Sequence, residues 1–449
     1  MKEVKYTRRV AINMVIANMI GTGIFTSLGY QVLPAPDGIP DPFAILFIWL
    51  LGGIIALCGA TVYGEIATTI NKSGGEYTFL SKIYHPLLGF MSGWISIFIG
   101  FSAAIAALAI ATGEYFAPIL GIEKDTNVLG IPFTNFFGAV MIVVVSSIHL
   151  RGVKFGGLFQ NYATYIKLGL IFVFLLLPFV FSSNFEAAEI SFLPTENSWD
   201  TIGSESFAYA LVYVMFAYSG WNASSYIVGS LENPKKNLPF SLILGTIVVT
   251  VLYILLNFVF MYSSSFEDLA GQADIGNVVA KKILGPEISL FFSGVFSFAL
   301  ISGLSAMFIA GPRVIEAMGK DYKIFKILGK RSEKGTPNTA ILVLMVISIV
   351  LALPLKFEIL IQFTGFTLTI FSLLTVAGIF VLRYKKLNGE NTVKAWGYPF
   401  TPLVFLALSL WLIYFFVTQK PEIVWWFLIS ISPAVLIYGV SKYIENRRS

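Results

Sequence analysis

Two stretches decide how this chain folds: Ile20-Gly21-Thr22-Gly23-Ile24-Phe25 and Phe216-Ala217-Tyr218-Ser219-Gly220-Trp221-Asn222. Each lies inside a long apolar run. Gly21-Thr22-Gly23 lies about 12 residues past Arg9 and Tyr218-Ser219-Gly220-Trp221-Asn222 about 12 past Phe207, which is ~18 Å along each run at 1.5 Å per helical residue. In a hydrocarbon layer ~30 Å thick both stand near the midplane. Glycine pairs and a Tyr-Ser-Gly cluster at that depth weaken a helix and predict a break. A broken helix leaves N–H groups unpaired at the start of its second half and carbonyls unpaired at the end of its first half. Lipid cannot satisfy them, so a ligand or water must. An amino acid zwitterion carries a carboxylate for the first set and an ammonium for the second. Close helix packing is the alternative use of such glycines.

Working outward, the rest of the chain supplies the layer. Of its 449 residues, 56% are hydrophobic and only 12% charged, against about 25% charged in a soluble domain. The missing polar surface implies lipid as solvent. Twelve runs reach or approach the ~20 residues a span needs: 9–32, 43–70, 87–108, 130–149, 157–181, 207–230, 239–262, 288–310, 339–355, 359–382, 401–418 and 424–443. The ninth and eleventh are short. With the N-terminus placed inside, inner loops and termini hold 24 Lys/Arg and outer loops five, namely Lys124, Lys281, Lys282, Lys356 and Lys420. That asymmetry predicts both termini in the cytoplasm and an even number of spans. Acidic loop residues, among them Asp37, Asp41, Glu186, Glu189, Asp200, Glu267, Asp268 and Asp274, fall mostly outside. The first two breaks then lie in helices one and six, which open the two five-helix halves from opposite faces. Matched breaks of that kind point to a transporter binding site.

The remaining chemistry is sparse. One cysteine, Cys58, excludes a disulfide framework, and two histidines, His85 and His149, make a histidine-rich metal centre unexpected. No metal, no cofactor and no nucleic-acid partner is expected. The basic N-terminus feeds straight into the first apolar run, so a cleaved leader is not expected. One membrane domain, with no appended soluble one, is the expected organisation.

Further segments read together: Lys72-Ser73-Gly74-Gly75-Glu76-Tyr77, His85-Pro86-Leu87-Leu88-Gly89-Phe90, Gly93-Trp94, Glu232-Asn233-Pro234-Lys235-Lys236-Asn237-Leu238-Pro239, Gly311-Pro312-Arg313 and Ala317-Met318-Gly319-Lys320-Asp321. With the two break motifs, this ordered set resembles the amino acid–polyamine–organocation (APC) transporters along essentially the whole chain, especially bacterial amino acid permeases similar to the L-type exchangers. The resemblance implies an all-α fold of twelve transmembrane helices with a leucine-transporter-like 5+5 inverted repeat, broken in helices 1 and 6. Repeat one covers about 9–182, repeat two about 204–383, and helices 11–12 about 401–443. It implies that the N–H groups of Gly21, Thr22 and Gly23 hold a substrate carboxylate, and that the carbonyls of Met19, Ile20, Phe216, Ala217 and Ser219 hold its ammonium. Phe216 is the implied gate over the substrate. Tyr218, Gly220, Trp221 and Asn222 are the implied neighbours of substrate or gate. The loop Pro34 to Asp41 departs from the family in length and proline content, and with it the outer entrance.

Lys167 lies about 10 residues into the fifth run, ~15 Å deep. A lysine facing lipid there costs about 3 kcal/mol, so it must face protein. It is either a structural lysine bonded to helix-one carbonyls or, as the resemblance implies, the group standing where sodium-coupled relatives hold sodium, with Ser302 and Ser305 nearby. A permanently charged Lys167 makes a sodium-independent exchanger. One that releases its proton each cycle makes a proton-coupled importer. Glu65 and Glu114 are expected at interfacial water, and Trp94, Trp396, Trp411, Trp425 and Trp426 as interface anchors.

A membrane enzyme is the first rival, and it lacks a nucleophile motif, a metal cluster or paired histidines. A channel is the second, without a filter sequence. The expected function is therefore secondary transport of amino acids, neutral L-amino acids first because no acidic residue lies near either break in the sequence. The alternatives are a permease for basic amino acids or polyamines, and a non-transporting membrane sensor. Amino acid substrate and lipid bilayer are the expected partners, with no obligate protein partner.

Overall fold

In the computed structural model, which describes residues 5–34, 36–123, 126–181, 190–272, 274–354, 357–387 and 393–446, the apolar runs become helices whose ends are set by local chemistry. The Asp41 side chain accepts from the Phe43 N–H at 2.8 Å, and Pro42 opens the Pro42–Ile70 helix. Asn71 closes that helix in the left-handed region at φ 49°. The Ser204 hydroxyl caps Glu205–Ala217 in the same way, accepting from the Phe207 N–H at 3.2 Å. Of the charges used above, Lys2, Lys124, Glu186, Glu189, Lys356, Arg447 and Arg448 lie outside the described residues.

Among the described residues, ten helices are long and apolar enough to cross a bilayer. Two shorter apolar helices, Glu205–Ala217 and Asn338–Ala352, stand where the sixth and ninth runs were expected. The eleventh run, expected to be short, is a full-length helix, Phe400–Gln419. Burial sorts them. In the apolar windows of Arg8–Gln31 and Pro86–Leu120, 83% of residues are buried, against 17% in Pro421–Glu445. The first broken helix is therefore central and the last helix peripheral. Short helices outside the spans include Glu76–Ile83, Glu196–Ile202 and Ile275–Leu284. A two-residue hairpin, Asn127–Val128 with Ile131–Pro132, turns one loop. The proline-rich segment folds back on the helix before it, with the Ile39 N–H on the Gln31 carbonyl at 2.7 Å.

Two expectations are corrected here. Glu65 does not reach water. It is fully buried, and Arg383 clamps it with Nε to Oε1 at 2.9 Å and Nη2 to Oε2 at 2.6 Å, while the Ala395 N–H adds 2.6 Å to Oε2. The Arg383 guanidinium in turn lies 3.6 Å from the Tyr398 ring centroid. A carboxylate inside an apolar helix persists because a bidentate cation and a main-chain donor replace its hydration. Trp94 is half-buried, and its indole N–H donates to the Ser430 carbonyl at 3.2 Å, which docks the last helix. Trp396, Trp411, Trp425 and Trp426 are exposed, as anchors should be. Arg383→Met strands the Glu65 charge and is expected to cost on the order of 3 kcal/mol. Glu65→Gln together with Arg383→Met should recover part of that loss, and thermal midpoints of the purified protein in detergent compare the two.

Candidate functional site

The first break falls at residues 20–22, between the helices Arg8–Met19 and Gly23–Gln31. The second falls at residues 218–222, between Glu205–Ala217 and a 3-10 helix, Ala223–Ser230. The two glycines of the first break divide between packing and opening. A Cβ on Gly23 would sit 2.7 Å from the Ala217 Cα, so there the two broken helices touch main chain to main chain. A Cβ on Gly21 would meet only the Leu108 Cδ2, at 3.5 Å, an ordinary contact facing free space. Gly220 has φ 91°, a conformation L-residues rarely adopt, and a Cβ there would lie 2.8 Å from the Asn18 Nδ2. Asn18 and Gly220, Gly23 and Ala217 thus cross-brace the breaks.

Hydrogen bonds show which main-chain groups are spent. The Gly21 N–H donates to the Met19 carbonyl at 2.8 Å, so it is occupied. Phe25 and Thr26 donate to the Thr22 carbonyl. The N–H groups of Thr22, Gly23 and Ile24 are left without a main-chain acceptor among the described residues, which moves the open donors one residue on from those expected. Among the carbonyls, Ile20 accepts from the Lys167 Nζ at 2.5 Å, and Ala17 accepts from the same ammonium at 3.3 Å. The Phe216 carbonyl accepts from the Ser219 N–H at 2.9 Å. One hydroxyl, that of the fully buried Tyr253, reaches both other carbonyls, Met19 at 2.5 Å and Ala217 at 2.9 Å. A phenol has one proton to give. The Ser219 carbonyl has no donor among the described residues.

A cavity with about 790 Å³ free of protein atoms, part of it open to solvent, lies between the breaks. Met19, Gly21, Thr22, Gly23, Phe216, Ala217, Ser219, Gly220 and Asn222 line it, as the sequence placed them. Its far wall comes from the Pro86–Leu120 helix, where Ser96–Phe101 forms a π-helical turn. The extra residue in that turn swells the backbone where Ser96, Gly100 and Phe101 face the cavity. Asn18 Oδ1 and Thr364 Oγ1, both on cavity-lining residues, have no hydrogen-bond partner among the described residues. Phe216 also lines a second cavity that runs by Tyr209 and Phe415 to Lys420, so its ring separates the two.

Several expected site residues lie elsewhere. Tyr218 is fully buried away from the cavity, its hydroxyl on the Trp49 carbonyl at 2.8 Å. Trp221 packs edge-on against Tyr63, centroids 4.7 Å apart, and against Phe405, and does not line the central cavity. The Ile20 carbonyl serves Lys167. Ser302 and Ser305 do not bond Lys167: Ser302 donates to the Ala299 carbonyl at 2.9 Å, and Ser305 pairs with His149 Nε2 at 3.0 Å. The absence of acid near the breaks also needs correction. Glu76, remote in sequence, is buried beside the second break, and its Oε1 accepts from Tyr63 at 2.5 Å, Ser372 at 3.0 Å and Asn222 at 3.2 Å. Burial pushes the Glu76 carboxyl up, and the donated bonds oppose that shift. No group of three or more His, Cys, Asp or Glu that would hold a metal occurs among the described residues.

Opposite Phe216 the molecule is closed. The Tyr6 N–H donates to the Ser230 carbonyl at 2.8 Å and the Glu232 N–H to the Tyr6 carbonyl at 2.9 Å. Beside them Glu316 takes Arg313, Lys320 and Arg331, and the Tyr77 hydroxyl donates to Asp321.

Helices built to cross a bilayer, enclosing a small-molecule cavity at two main-chain breaks, define a polytopic membrane transport protein. The sequence model of the amino acid permease family matches residues 9–440, and the chain belongs to that family, within the APC superfamily. The b(0,+)-type amino acid transporter 1 of Mus musculus is 26% identical over 419 residues, covering 91% of this chain and 82% of that protein. The serine/threonine exchanger SteT of Bacillus subtilis (strain 168) is 28% identical over 406 residues, covering 89% and 88%. The large neutral amino acids transporter small subunit 2 of Mus musculus is 24% identical over 441 residues, covering 96% and 79%. These relatives are transporters and not enzymes. The last of these relatives is named as a small subunit, whereas no obligate protein partner was expected for this chain.

The glycine geometry orders three variants. Gly21→Ala should shift stability by less than about 1 kcal/mol. Gly220→Ala should cost ~1–2 kcal/mol from its backbone angle alone, and Gly23→Ala about 1–3 kcal/mol from overpacking against Ala217. Thermal midpoints in detergent rank them.

Proposed function

We propose that the chain is a secondary active carrier of neutral L-amino acids that works by sodium-independent exchange. The observation that carries this reading is the convergence of both breaks on one cavity, with donors on one side and carbonyls on the other. The N–H groups of Thr22, Gly23 and Ile24 receive the carboxylate, at the positive end of the Gly23–Gln31 helix. The ammonium meets the Ser219 carbonyl and, when the Tyr253 proton turns to Met19, the Ala217 carbonyl. Asn18, Thr364 and the π-turn residues face the substrate side chain. Phe216 acts as the gate between this cavity and the one leading to Lys420.

The architecture belonging to this reading has twelve spans as a leucine-transporter-like 5+5 inverted repeat, about 9–182 and 204–383, followed by two helices at about 401–443. The short Glu205–Ala217 helix and its 3-10 continuation make one span, and Asn338–Ala352 another. The location is the cell membrane with both termini cytoplasmic, supported by the 24-to-5 distribution of loop Lys/Arg. The basic, closed end is then cytoplasmic and the Phe216 side faces out. Alternating access follows from rocking the two broken helices with their neighbours against the remainder.

Lys167 supports sodium independence. Its ammonium already binds the Ile20 and Ala17 carbonyls at the end of the first half-helix, the kind of oxygens a cation site would use. Proton coupling through Lys167 is the alternative mode. A neutral preference fits the cavity wall, because Glu76 stands behind Asn222 and does not line it. The name of the exchanger SteT agrees with both exchange and a small polar substrate.

Counterflow in proteoliposomes tests the proposal. Labelled L-serine should enter only when unlabelled amino acid is inside, with no dependence on sodium. Competition by alanine, serine and leucine should exceed that by arginine or a polyamine; the reverse order would refute neutral preference. Acceleration by a pH gradient alone would replace exchange by proton coupling. Lys167→Met removes the donor to Ile20 and should slow counterflow by about tenfold or more, read as initial rate at equal protein.

A further inference from the structure

Away from the breaks, the closed end holds a separate cavity with about 920 Å³ free of protein atoms, continuous with solvent. Five cations line it: Lys72, Lys82, Arg313, Lys320 and Arg331. Two carboxylates oppose them, Glu316 and Asp321, a surplus of three positive charges. Both carboxylates are committed. Glu316 is shared by Arg313, Lys320 and Arg331, and Asp321 accepts from Tyr77. Lys72 and Lys82 have no acidic partner among the described residues.

A scattered basic surface would follow from membrane orientation alone. This arrangement differs in being concave and in having a buried member, Arg313, 2% exposed. Three chain segments meet in it: residues 71–82, the end of Pro286–Asp321 with the loop to Arg331, and Gly229 at the end of the second broken helix. The Gly229 N–H donates to the Ser73 hydroxyl oxygen at 3.1 Å, so the cavity borders the joint between the broken helix and the segment beside it.

We propose that this cavity binds a phosphate-class anion, a pyrophosphate or phosphomonoester group, and that the bound anion holds this end closed. Phosphate oxygens accept from several cations at once. Seated here, they bridge Lys72 and Lys82 on one segment to Lys320 and Arg331 on another and balance the surplus charge. Opening this face would pull the two sets of cations apart and break the bridge. The anion therefore favours the closed arrangement and slows the opening step. The group belongs to either a soluble phosphate or an anionic lipid headgroup.

The test uses the full chain in nanodiscs of neutral lipid, titrated with sodium pyrophosphate at constant ionic strength while the thermal midpoint is followed. A rise of about 3 °C or more is expected at saturation. Lys72→Gln with Lys82→Gln, both exposed side chains whose loss leaves the packing intact, should weaken the apparent Kd about tenfold or more. Discs containing phosphatidic acid separate the sources: a midpoint already raised and unresponsive to pyrophosphate assigns the site to a headgroup, and a retained response assigns it to soluble phosphate. No shift in the parent protein in either kind of disc, or an undiminished one in the double variant, would overturn the proposal. Both readouts report binding and not flux, so the site and the transport reading fail independently.

Discussion

Everything in this molecule is arranged around main-chain dipoles that lipid cannot satisfy. Two helices stop partway through an apolar interior, and each stop exposes N–H and C=O groups at a cost of several kcal/mol apiece if left bare. Most are met from within. Lys167 reaches the first half-helix from across the bundle, and Tyr253 serves both breaks with one hydroxyl. That hydroxyl is deliberately too little: it faces two carbonyls with a single proton. Opposite stand the N–H groups of Thr22, Gly23 and Ile24, without a main-chain acceptor among the described residues, so donors remain on one side of the breaks and acceptors on the other.

The surroundings follow from that deficit. A cavity must sit beside the breaks, and the neighbouring helix makes room with a π-turn rather than with smaller side chains alone. One aromatic ring, Phe216, stands between this cavity and the one that runs to Lys420. The other side is sealed by charge and β-type pairing around Tyr6, Arg313 and Glu316, well away from the breaks. Glu76 belongs to the second break through Asn222, yet it is screened from the cavity by that residue.

Much of this was legible in the sequence, and the limits are physical. Gly21, Gly23 and Gly220 announced the breaks because matched interruptions at equal depth in opposed halves weigh against packing alone, and nine of the residues assigned to the site do line the cavity. Depth in an apolar run also placed Lys167 against helix one. Direction around a helix was not legible. Tyr218 and Trp221 follow Phe216 closely in sequence, but they turn away from the cavity into buried aromatic packing with Trp49 and Tyr63. Partners distant in sequence were hidden as well: Arg383 for Glu65, Tyr253 for Met19, Ser372 for Glu76. The π-turn left no composition signal in Ser96–Phe101, since its cause is one extra residue accommodated by neighbours. A Gly-Gly-Glu segment between spans reads as loop, and only its burial reveals a carboxylate against the second break.

The contact between Gly23 and Ala217 has a mechanical consequence. Main chain lies against main chain there, and the Asn18 side chain against Gly220 braces the second break beside it. The halves of the binding cleft are thus geared together. Movement of one half-helix at this level must therefore carry the other with it.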